Sequence, residues 1–313
     1  MYHGFVRATG GTTSTFDCPD AGAQPGNGTF PVSINSGGLI VGYYGDANWA
    51  THGFIRGSNG NIIIFDVADA PKGTNPMSIN TTGVVAGSYS DANGISHGFI
   101  RGSDGLIAVF DAPDSANGTS PTSINDAGVV TGSARNANEF LRGFVRAANG
   151  DIVEFDVPGA ANGMIPTSIN SEGVVAGTFI DASLAQHAFV RGVDGQITVV
   201  DEPKGNASPL STSAASINAS GAITGVYLDA KNERHGYARF VVAAGDSTPV
   251  TDAVPAATST TMPTSTTGQS QSSSVSPSSS SGGGGGSMDV LGLLLLLAQV
   301  SATAICTTRK RGV

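Results

Sequence analysis

Residues 97–141 read HGFIRGSDGLIAVFDAPDSANGTSPTSINDAGVVTGSARNANEFL, and nearly the same text precedes and follows this stretch. A His-Gly-Phe motif begins at His52 and His97 and returns in altered form at Arg142 and His187, each time 45 residues further on. Self-similarity at a fixed period of this length is the signature of a repeat protein. The tripeptide Ser-Ile-Asn repeats in step, at Ser33, Ser78, Ser123, Ser168 and Ser216.

Each repeat contains two predicted β-hairpins. The run HGFIR is joined by Gly-Ser-Asp-Gly to LIAVFD, and the run PTSIN is joined by Asp-Ala-Gly to VVTGSA. Asp-Gly pairs favour hairpin turns because such turns need positive φ, and the side chain of Asn125 can cap the second turn. We name the four strands of a unit A (PTSIN), B (GVVTGSA), C (HGFIR) and D (LIAVFD).

The predicted sheets carry apolar residues on both faces, as in the strand D run Ile62-Ile63-Ile64-Phe65. A sheet that faced water on one side would alternate apolar and polar residues, so each sheet is predicted to pack between two neighbours. Stacked four-stranded sheets of this length are the blades of a β-propeller. The sequence predicts an all-β fold of five blades, closed by pairing of residues 13–17 with the last strand C at 235–240. Six blades and an open β-solenoid are the alternatives.

The composition changes after the repeats. Residues 2–245 form the predicted propeller-like domain, and residues 246–287 form a Ser/Thr/Pro/Gly-rich linker that is too polar to bury a core. Residues 288–308 are apolar and long enough for one transmembrane helix, and residues 309–313 form a basic tail. The positive-inside rule predicts a cytoplasmic tail and repeats outside the cell. The net charge of −9 argues against a nucleic-acid partner.

The repeated polar residues indicate a structural role and not catalysis or metal binding. All the histidines occupy one repeat position, and Arg142, which cannot bind a metal ion, takes that position in one unit. The aspartates that end strand D also recur, whereas a catalytic carboxylate pair needs two different environments. We expect structural hydrogen bonds from the histidines, and turn caps or pairing with the strand C arginines from these aspartates. The sequence predicts no catalytic residue, no metal ligand and no cofactor.

The B-to-C connections that begin with Asp-Ala, at Asp46, Asp91, Asp181 and Asp229, predict Asx turns, because the complete calcium-loop pattern is missing. In a propeller these connections emerge on the same side as the D-to-A connections. Residues in them that lack a counterpart in every unit predict a ligand face. That predicted face consists of Asn27, Tyr43, Tyr44, Trp49, Glu139, Lys204, Asn206, Glu233 and Arg234.

The repeats resemble the HAF family of extracellular repeat proteins. The motif His187-Ala188-Phe189 and the run INTTGVVAG at 79–87 carry this resemblance, which spans residues 3 to about 240. The resemblance implies an exported protein and transfers no catalytic residue.

The end of the chain resembles the GlyGly-CTERM sorting signal of Gram-negative bacteria. This resemblance implies cleavage near the glycines by a rhomboid-type protease and display at the cell surface, with an uncleaved single-span anchor as the alternative. Export also needs an N-terminal signal, which we expect upstream of Met1. The residues of the predicted signal are Gly282, Gly283, Gly284, Gly285, Gly286, Arg309, Lys310 and Arg311.

These features together predict a cell-surface protein whose repeats form a non-catalytic binding module for a glycan or a protein. One alternative is an exported hydrolase or lyase built on a propeller scaffold. Another is a structural component of the envelope or matrix.

Overall fold

A computed structural model describes residues 1–201 and 211–240, and every regular element in these ranges is a β-strand. The described residues belong to one compact unit, Met1–Val241. They contain no helix long and apolar enough to cross a bilayer. The predicted linker, membrane segment and basic tail lie outside the described residues.

The described strands form antiparallel sheets in chain order, which confirms the predicted A-B-C-D hairpins. The chain begins with a two-stranded hairpin of β1 (Gly4–Arg7) and β2 (Thr13–Phe16), which are a C and a D strand. The first complete sheet contains β3 (Thr29–Ile34), β4 (Ile40–Gly45), β5 (Thr51–Arg56) and β6 (Ile62–Phe65). The second contains β7 (Thr74–Ile79), β8 (Val85–Ser90), β9 (Ser96–Arg101) and β10 (Ile107–Phe110).

The remaining sheets follow the same order. The third complete sheet contains β11 (Gly118–Ile124), β12 (Val130–Arg135), β13 (Leu141–Arg146) and β14 (Ile152–Phe155). The fourth contains β15 (Met164–Ile169), β16 (Val175–Ile180), β17 (Gln186–Arg191) and β18 (Ile197–Val199). The last sheet has three described strands, β19 (Thr212–Ile217), β20 (Ile223–Leu228) and β21 (Arg234–Arg239).

The predicted ring closure is wrong in this structure. The sequence predicts that residues 13–17 pair with β21, but β2 pairs with β1, with Phe16 opposite Gly4. The reason lies in the packing of β2 on the sheet that follows it. The rings of Phe16 and Phe54 meet edge-on with 6.0 Å between centroids, and the guanidinium of Arg56 lies 4.8 Å from the Phe16 centroid.

The hydrophobic core lies between successive sheets. In each of the four complete sheets, strand C buries a phenylalanine completely, and the ring of that phenylalanine meets the strand D ring of the preceding sheet edge-on. The strand C arginine of the same sheet covers that strand D ring with its guanidinium, 4.8 or 4.9 Å from the centroid. The predicted pairing of these arginines with the strand D aspartates is therefore wrong. The ring pairs are Phe16–Phe54, Phe65–Phe99, Phe110–Phe144 and Phe155–Phe189.

The asparagine of Ser-Ile-Asn joins neighbouring sheets. The side-chain Oδ1 of Asn80 accepts a hydrogen bond from the backbone N of Val84 at 2.9 Å, which confirms the predicted turn cap. Its Nδ2 donates to the backbone oxygen of Asn125 in the next sheet at 3.2 Å. Because the acceptor lies a whole repeat away in sequence, the local sequence pattern predicts the turn cap but not this link between sheets. The same link recurs from Asn35, Asn125 and Asn170.

A glycine in strand C makes room for the strand D ring of its own sheet. A Cβ added to Gly98 would lie 2.7 Å from the ring of Phe110, and one added to Gly143 would lie 2.5 Å from the ring of Phe155. In the fourth complete sheet the backbone of Ala188 bonds Val200, and both residues are buried. In this sheet, alanine replaces the strand C glycine, and the smaller valine replaces the strand D phenylalanine.

Candidate functional site

Each B-to-C connection is the same five-residue turn, and together these turns form what we call the turn face. In the first turn, Oδ1 of Asp46 accepts hydrogen bonds from the backbone N of Asn48 at 2.8 Å and of Ala50 at 2.9 Å. The equivalent bonds in the other turns confirm the predicted Asx turns. The turns span residues 46–50, 91–95, 136–140, 181–185 and 229–233.

The fourth residue of every turn has a positive φ. The angle is 84° at Gly94, which suits glycine, but it is also 68° at Trp49 and at Leu184. Side chains with a Cβ are strained in this region, at a cost of order 1 kcal/mol. The remaining two turns place Glu139 at 65° and Asn232 at 60°. Trp49 and Glu139 belong to the predicted ligand face, but Leu184 does not, although its alignment with Gly94 in the repeat marks the same position.

The strained residues present different chemistry to solvent. Trp49 is 56% exposed and Leu184 is 66% exposed. The indole of Trp49 lies beside the D-to-A connection, where a Cβ on Gly26 would be 3.6 Å from its Cη2. Glu139 is exposed too, and its carboxylate accepts hydrogen bonds from Asn117 at 2.8 Å and from Arg135 at 3.2 Å. The turn face therefore exposes an aromatic, an apolar and an acidic side chain at the same position of one repeated turn.

A histidine between two carboxylates supports the turn face from beneath. In the fourth complete sheet, Nδ1 of His187 donates to Asp201 at 2.7 Å, and Nε2 lies 3.4 Å from Asp181 of the turn. The imidazole also stacks on Phe179, with 4.9 Å between centroids. The predicted structural role of the histidines is thus confirmed, and the strand D aspartates have histidine partners. The same arrangement recurs at His52 and His97.

Arg142 replaces the histidine in the third complete sheet. Its guanidinium donates to both carboxylate oxygens of Asp156, at 2.9 and 2.8 Å, and to Glu154 at 2.9 Å. The hydrogen bond to Asp156 is the main reason why the pKa of Arg142 is raised. A permanent cation thus keeps the strand D aspartate in place where the histidine is missing.

The charges around His187 predict a pH-dependent stability. Burial lowers the pKa of His187, but the hydrogen bond and charge of Asp201, together with Asp181, outweigh burial and raise the pKa above its usual value. A raised pKa stabilises the fold fully below the unfolded value of about 6.5, and this contribution is lost as pH rises through the folded pKa. We therefore expect His187 to favour folding more at pH 5.5 than at pH 8.5.

The measurement is urea unfolding of the full chain and of the His187→Gln variant at both pH values. The expected result is that the variant loses more unfolding free energy at pH 5.5 than at pH 8.5. Asp201→Asn, which keeps the imidazole but removes its main partner, is the matched control and should show the same pattern. An equal loss at both pH values would contradict the argument.

Two residues of the predicted ligand face are buried and belong to the scaffold. Tyr44 is 4% exposed and stacks on His52, with 5.1 Å between centroids. Asn27 is 2% exposed, and its Nδ2 donates to the backbone oxygen of Asp46 at 2.5 Å. Neither side chain reaches a ligand on the surface, so both are removed from the predicted face. Tyr44 also has aromatic counterparts in three other sheets, Tyr89, Phe179 and Tyr227, each stacked on a histidine.

The other predicted residues differ in position. Tyr43 is half-buried and stacks on Phe30 with 5.1 Å between centroids. Trp49, Glu139, Glu233 and Arg234 are exposed, the first three within turns and Arg234 directly after one, so their role in a ligand face stays a prediction. Lys204, Asn206 and the sorting-signal residues 282–286 and 309–311 lie outside the described residues.

One group in the described ranges has a geometry that could hold a metal ion. The ligand atoms of Asp229, Glu233 and His235 lie within 4.8 Å of one another. Each of the three is at least partly exposed, and Asp229 already accepts backbone hydrogen bonds from Lys231 and Glu233. The group therefore shares the turn architecture of the other sheets, and we assign no metal to it.

Comparison with known proteins shows a fold and no family. No protein-family model matches this chain, and no curated protein matches it. Virginiamycin B lyase from Staphylococcus aureus is 16% identical, with a TM-score of 0.51 over 74% of this chain and 76% of that chain. A catalytically inactive variant of that lyase with quinupristin is 17% identical, with a TM-score of 0.50 over the same shares.

TolB from Acinetobacter baumannii is 10% identical, with a TM-score of 0.49 over 76% of this chain and 60% of that chain. At the 16% and 17% identity of the two lyase structures, likeness is evidence of fold alone. The chain is accordingly an all-β protein of repeated, propeller-like sheets.

Proposed function

We propose that this protein is a non-catalytic binding module that holds its ligand on the turn face. The observation that carries the proposal is the fourth turn position, where one left-handed backbone displays four different non-glycine residues. Glycine at this position removes the strain, as Gly94 demonstrates. Strained residues tend to occur where a function requires them. We therefore assign the side chains of Trp49 and Leu184 to contact with the ligand.

The surroundings of Trp49 favour a glycan as the ligand. An exposed aromatic ring provides a flat apolar surface on which the C–H face of a sugar can stack. The amide of Asn48 and the carboxylate of Asp46 are 3.4 Å apart in the same turn and can bond to hydroxyl groups. A few polar groups beside an aromatic surface are typical of small-ligand sites.

The scaffold supports binding more than turnover. In three complete sheets both imidazole nitrogens face carboxylates, and the ring stacks on an aromatic side chain. An imidazole held in this way stabilises the turn above it and has no ring nitrogen directed at a bound ligand. The hydrolase or lyase alternative gains nothing from the structural neighbours, because fold does not determine function.

We propose five blades for the repeat domain, counting the four complete sheets and the three-stranded last sheet. The sequence resemblances support an exported protein of the HAF type with a GlyGly-CTERM-like end, sorted by a rhomboid-type protease and displayed at the cell surface. The apolar run 288–308 and the basic residues that follow it support a membrane-anchored stage before cleavage.

The test uses the fact that Trp49 is the only tryptophan in the chain. Its emission in the full-length protein reports directly on the turn face, so a glycan library can be screened by fluorescence. We expect a saturable blue shift with at least one glycan. Calorimetry should then show that Trp49→Gly weakens binding at least about tenfold, which corresponds to about 1.4 kcal/mol.

The same variant separates binding from folding. Because glycine relieves the left-handed strain, Trp49→Gly should leave the unfolding free energy unchanged or increase it. Leu184→Gly, at the same turn position, is the matched control for the backbone effect. Chemical conversion of the glycan would overturn the non-catalytic assignment. Binding of proteins alone would overturn the glycan assignment.

A further inference from the structure

The histidine beneath the turn of Trp49 lies between two carboxylates that it contacts differently. Nδ1 of His52 donates to Asp66 at 2.8 Å, and Nε2 lies 3.8 Å from Oδ2 of Asp46, the residue that caps this turn. Because an ionised carboxylate only accepts hydrogen bonds, the proton of the neutral imidazole is on Nδ1 and a lone pair is on Nε2. The neutral ring therefore directs a lone pair at the negative charge of Asp46, whereas the imidazolium form directs an N–H group at it.

The turn does not need a carboxylate for its own hydrogen bonds. In the third complete sheet the first residue of the turn is Asn136, whose Oδ1 accepts from the backbone N of Asn138 at 2.9 Å and of Phe140 at 3.1 Å. Oδ1 of Asp46 accepts the equivalent two bonds in the first turn. An uncharged amide thus caps the turn as a carboxylate does, and the negative charge of Asp46 is left for its contact with His52.

The turn aspartate and the strand C histidine occur together in the repeats. Four of the described turns begin with aspartate, and each is followed six positions later by a histidine whose Nε2 lies 3.8, 3.8, 3.4 or 3.2 Å from that carboxylate. The turn that begins with Asn136 is followed six positions later by Arg142, whose guanidinium bonds Asp156 and Glu154. The turn therefore carries a negative charge in the repeats that have a titratable ring beneath it.

The neighbours of His52 favour a change of charge on the imidazole itself. Burial acts to raise the pKa of Asp46, but the hydrogen bonds of its own turn outweigh burial and lower the pKa below its usual value, so the carboxylate stays ionised. Burial is the main reason why the pKa of Tyr44, which stacks on the imidazole, is raised to about 12. Cys18 and Asp20 act on Tyr44 through their charges, and burial raises the pKa of Cys18 to about 11. Histidine is the side chain whose charge ordinarily changes between pH 5 and 8.

We propose that His52 is a pH-sensitive switch for the turn that holds Trp49. The imidazolium form attracts both Asp66 and Asp46 and fixes the turn, and the neutral form loses its attraction for Asp46 and leaves the turn mobile. The side chains of His52 and Asp46 are 27% and 25% exposed, so water can deliver and remove the proton. The inference rests on the proposed function, to which it adds regulation by pH. A turn that is already fixed presents Trp49 to a glycan at a lower cost in entropy, so binding is tighter in acid.

The experiment follows the local motion of Trp49, the only tryptophan, by time-resolved fluorescence anisotropy of the full-length protein without added glycan. We expect the mobile form of the turn to be about 1.5- to 5-fold more populated at pH 8.5 than at pH 5.5, the effect of a partly exposed ion pair. The larger population should appear as a larger amplitude of fast motion.

Two variants should remove this pH dependence. Asp46→Asn keeps the turn cap, as Asn136 demonstrates, and removes the charge that the imidazolium attracts. His52→Gln removes the imidazole, and circular dichroism checks that both variants fold. His187→Gln, which removes the equivalent ring from another sheet, is the matched control and should leave the pH dependence of Trp49 as in the parent protein.

Motion of Trp49 that is the same at both pH values in the parent protein overturns the proposal. A pH dependence that survives in Asp46→Asn or in folded His52→Gln also overturns it. Loss of the dependence in His187→Gln does so too, because a change of the whole fold would then be its cause. No glycan takes part in this measurement. Failure to bind any glycan would therefore overturn the proposed function and leave the result for the switch unchanged.

Discussion

Phe99→Ala should lower the unfolding free energy of this protein by about 3–5 kcal/mol, the cost of removing a large ring from a packed core. Phe99 is fully buried, and its ring meets Phe65 of the preceding sheet edge-on at 6.1 Å between centroids. Arg101 covers that same Phe65 ring at 4.9 Å, so the cavity would also loosen a cation–π contact. Urea unfolding followed by circular dichroism gives the measurement.

The chain itself offers a matched control at the same repeat position. Phe5 follows His3-Gly4 as Phe99 follows His97-Gly98, but Phe5 is 66% exposed. Phe5→Ala should therefore change the unfolding free energy by less than about 0.5 kcal/mol. Similar losses for the two variants would show that the core does not lie between the sheets as described.

Gly98→Ala should destabilise the protein by about 1–3 kcal/mol, because the new methyl group overlaps the ring of Phe110. A Cβ on Gly98 would lie 2.7 Å from that ring, and the guanidinium of Arg146 lies 4.9 Å from the centroid of the same ring. Phe110→Val alone also destabilises, because it leaves a cavity. The double variant recreates the Ala188–Val200 pair of the fourth complete sheet.

The expected outcome is a double-mutant cycle with a favourable coupling of about 0.5–3 kcal/mol, as for residues in contact. Gly236→Ala is the control for the backbone effect of losing a strand glycine, since the one described atom within 4 Å of a Cβ on Gly236 is the backbone oxygen of Gly225, at 4.0 Å. Simple additivity of Gly98→Ala and Phe110→Val would reject size matching as the reason for this glycine.

The candidate site was partly readable from the sequence. The Asx turns were predicted because Asp46 bonds to residues two and four positions later, within one short segment. Tyr44 and Asn27 were wrongly assigned to the ligand face, because the exposure of a side chain depends on which neighbours cover it. Trp49 was found as a departure from the repeat, but its strain at φ 68° required backbone geometry.

The partner of the strand D aspartates depended on strand register. His97 and Arg101 lie on the same strand, and a pattern of charges alone does not choose between them. Pairing Phe110 with Gly98 brings Asp111 to His97, whereas Arg101 lies opposite Ile107 at the other end of the strand. The strand register therefore decides which side chain pairs with the aspartate, and the length of the C-to-D turn sets that register.

The sequence by itself determined the repeat, its four strands and their turns, because these depend on periodicity and on bonds between residues close in the chain. Only the tertiary structure decided what each strand packs against. The contact of Phe65 with Phe99 and the link from Asn80 to Asn125 both join residues of different repeats. Equivalent positions in every repeat carry nearly the same residues, so sequence similarity does not distinguish a neighbouring sheet from a distant one. That choice is made by packing between sheets.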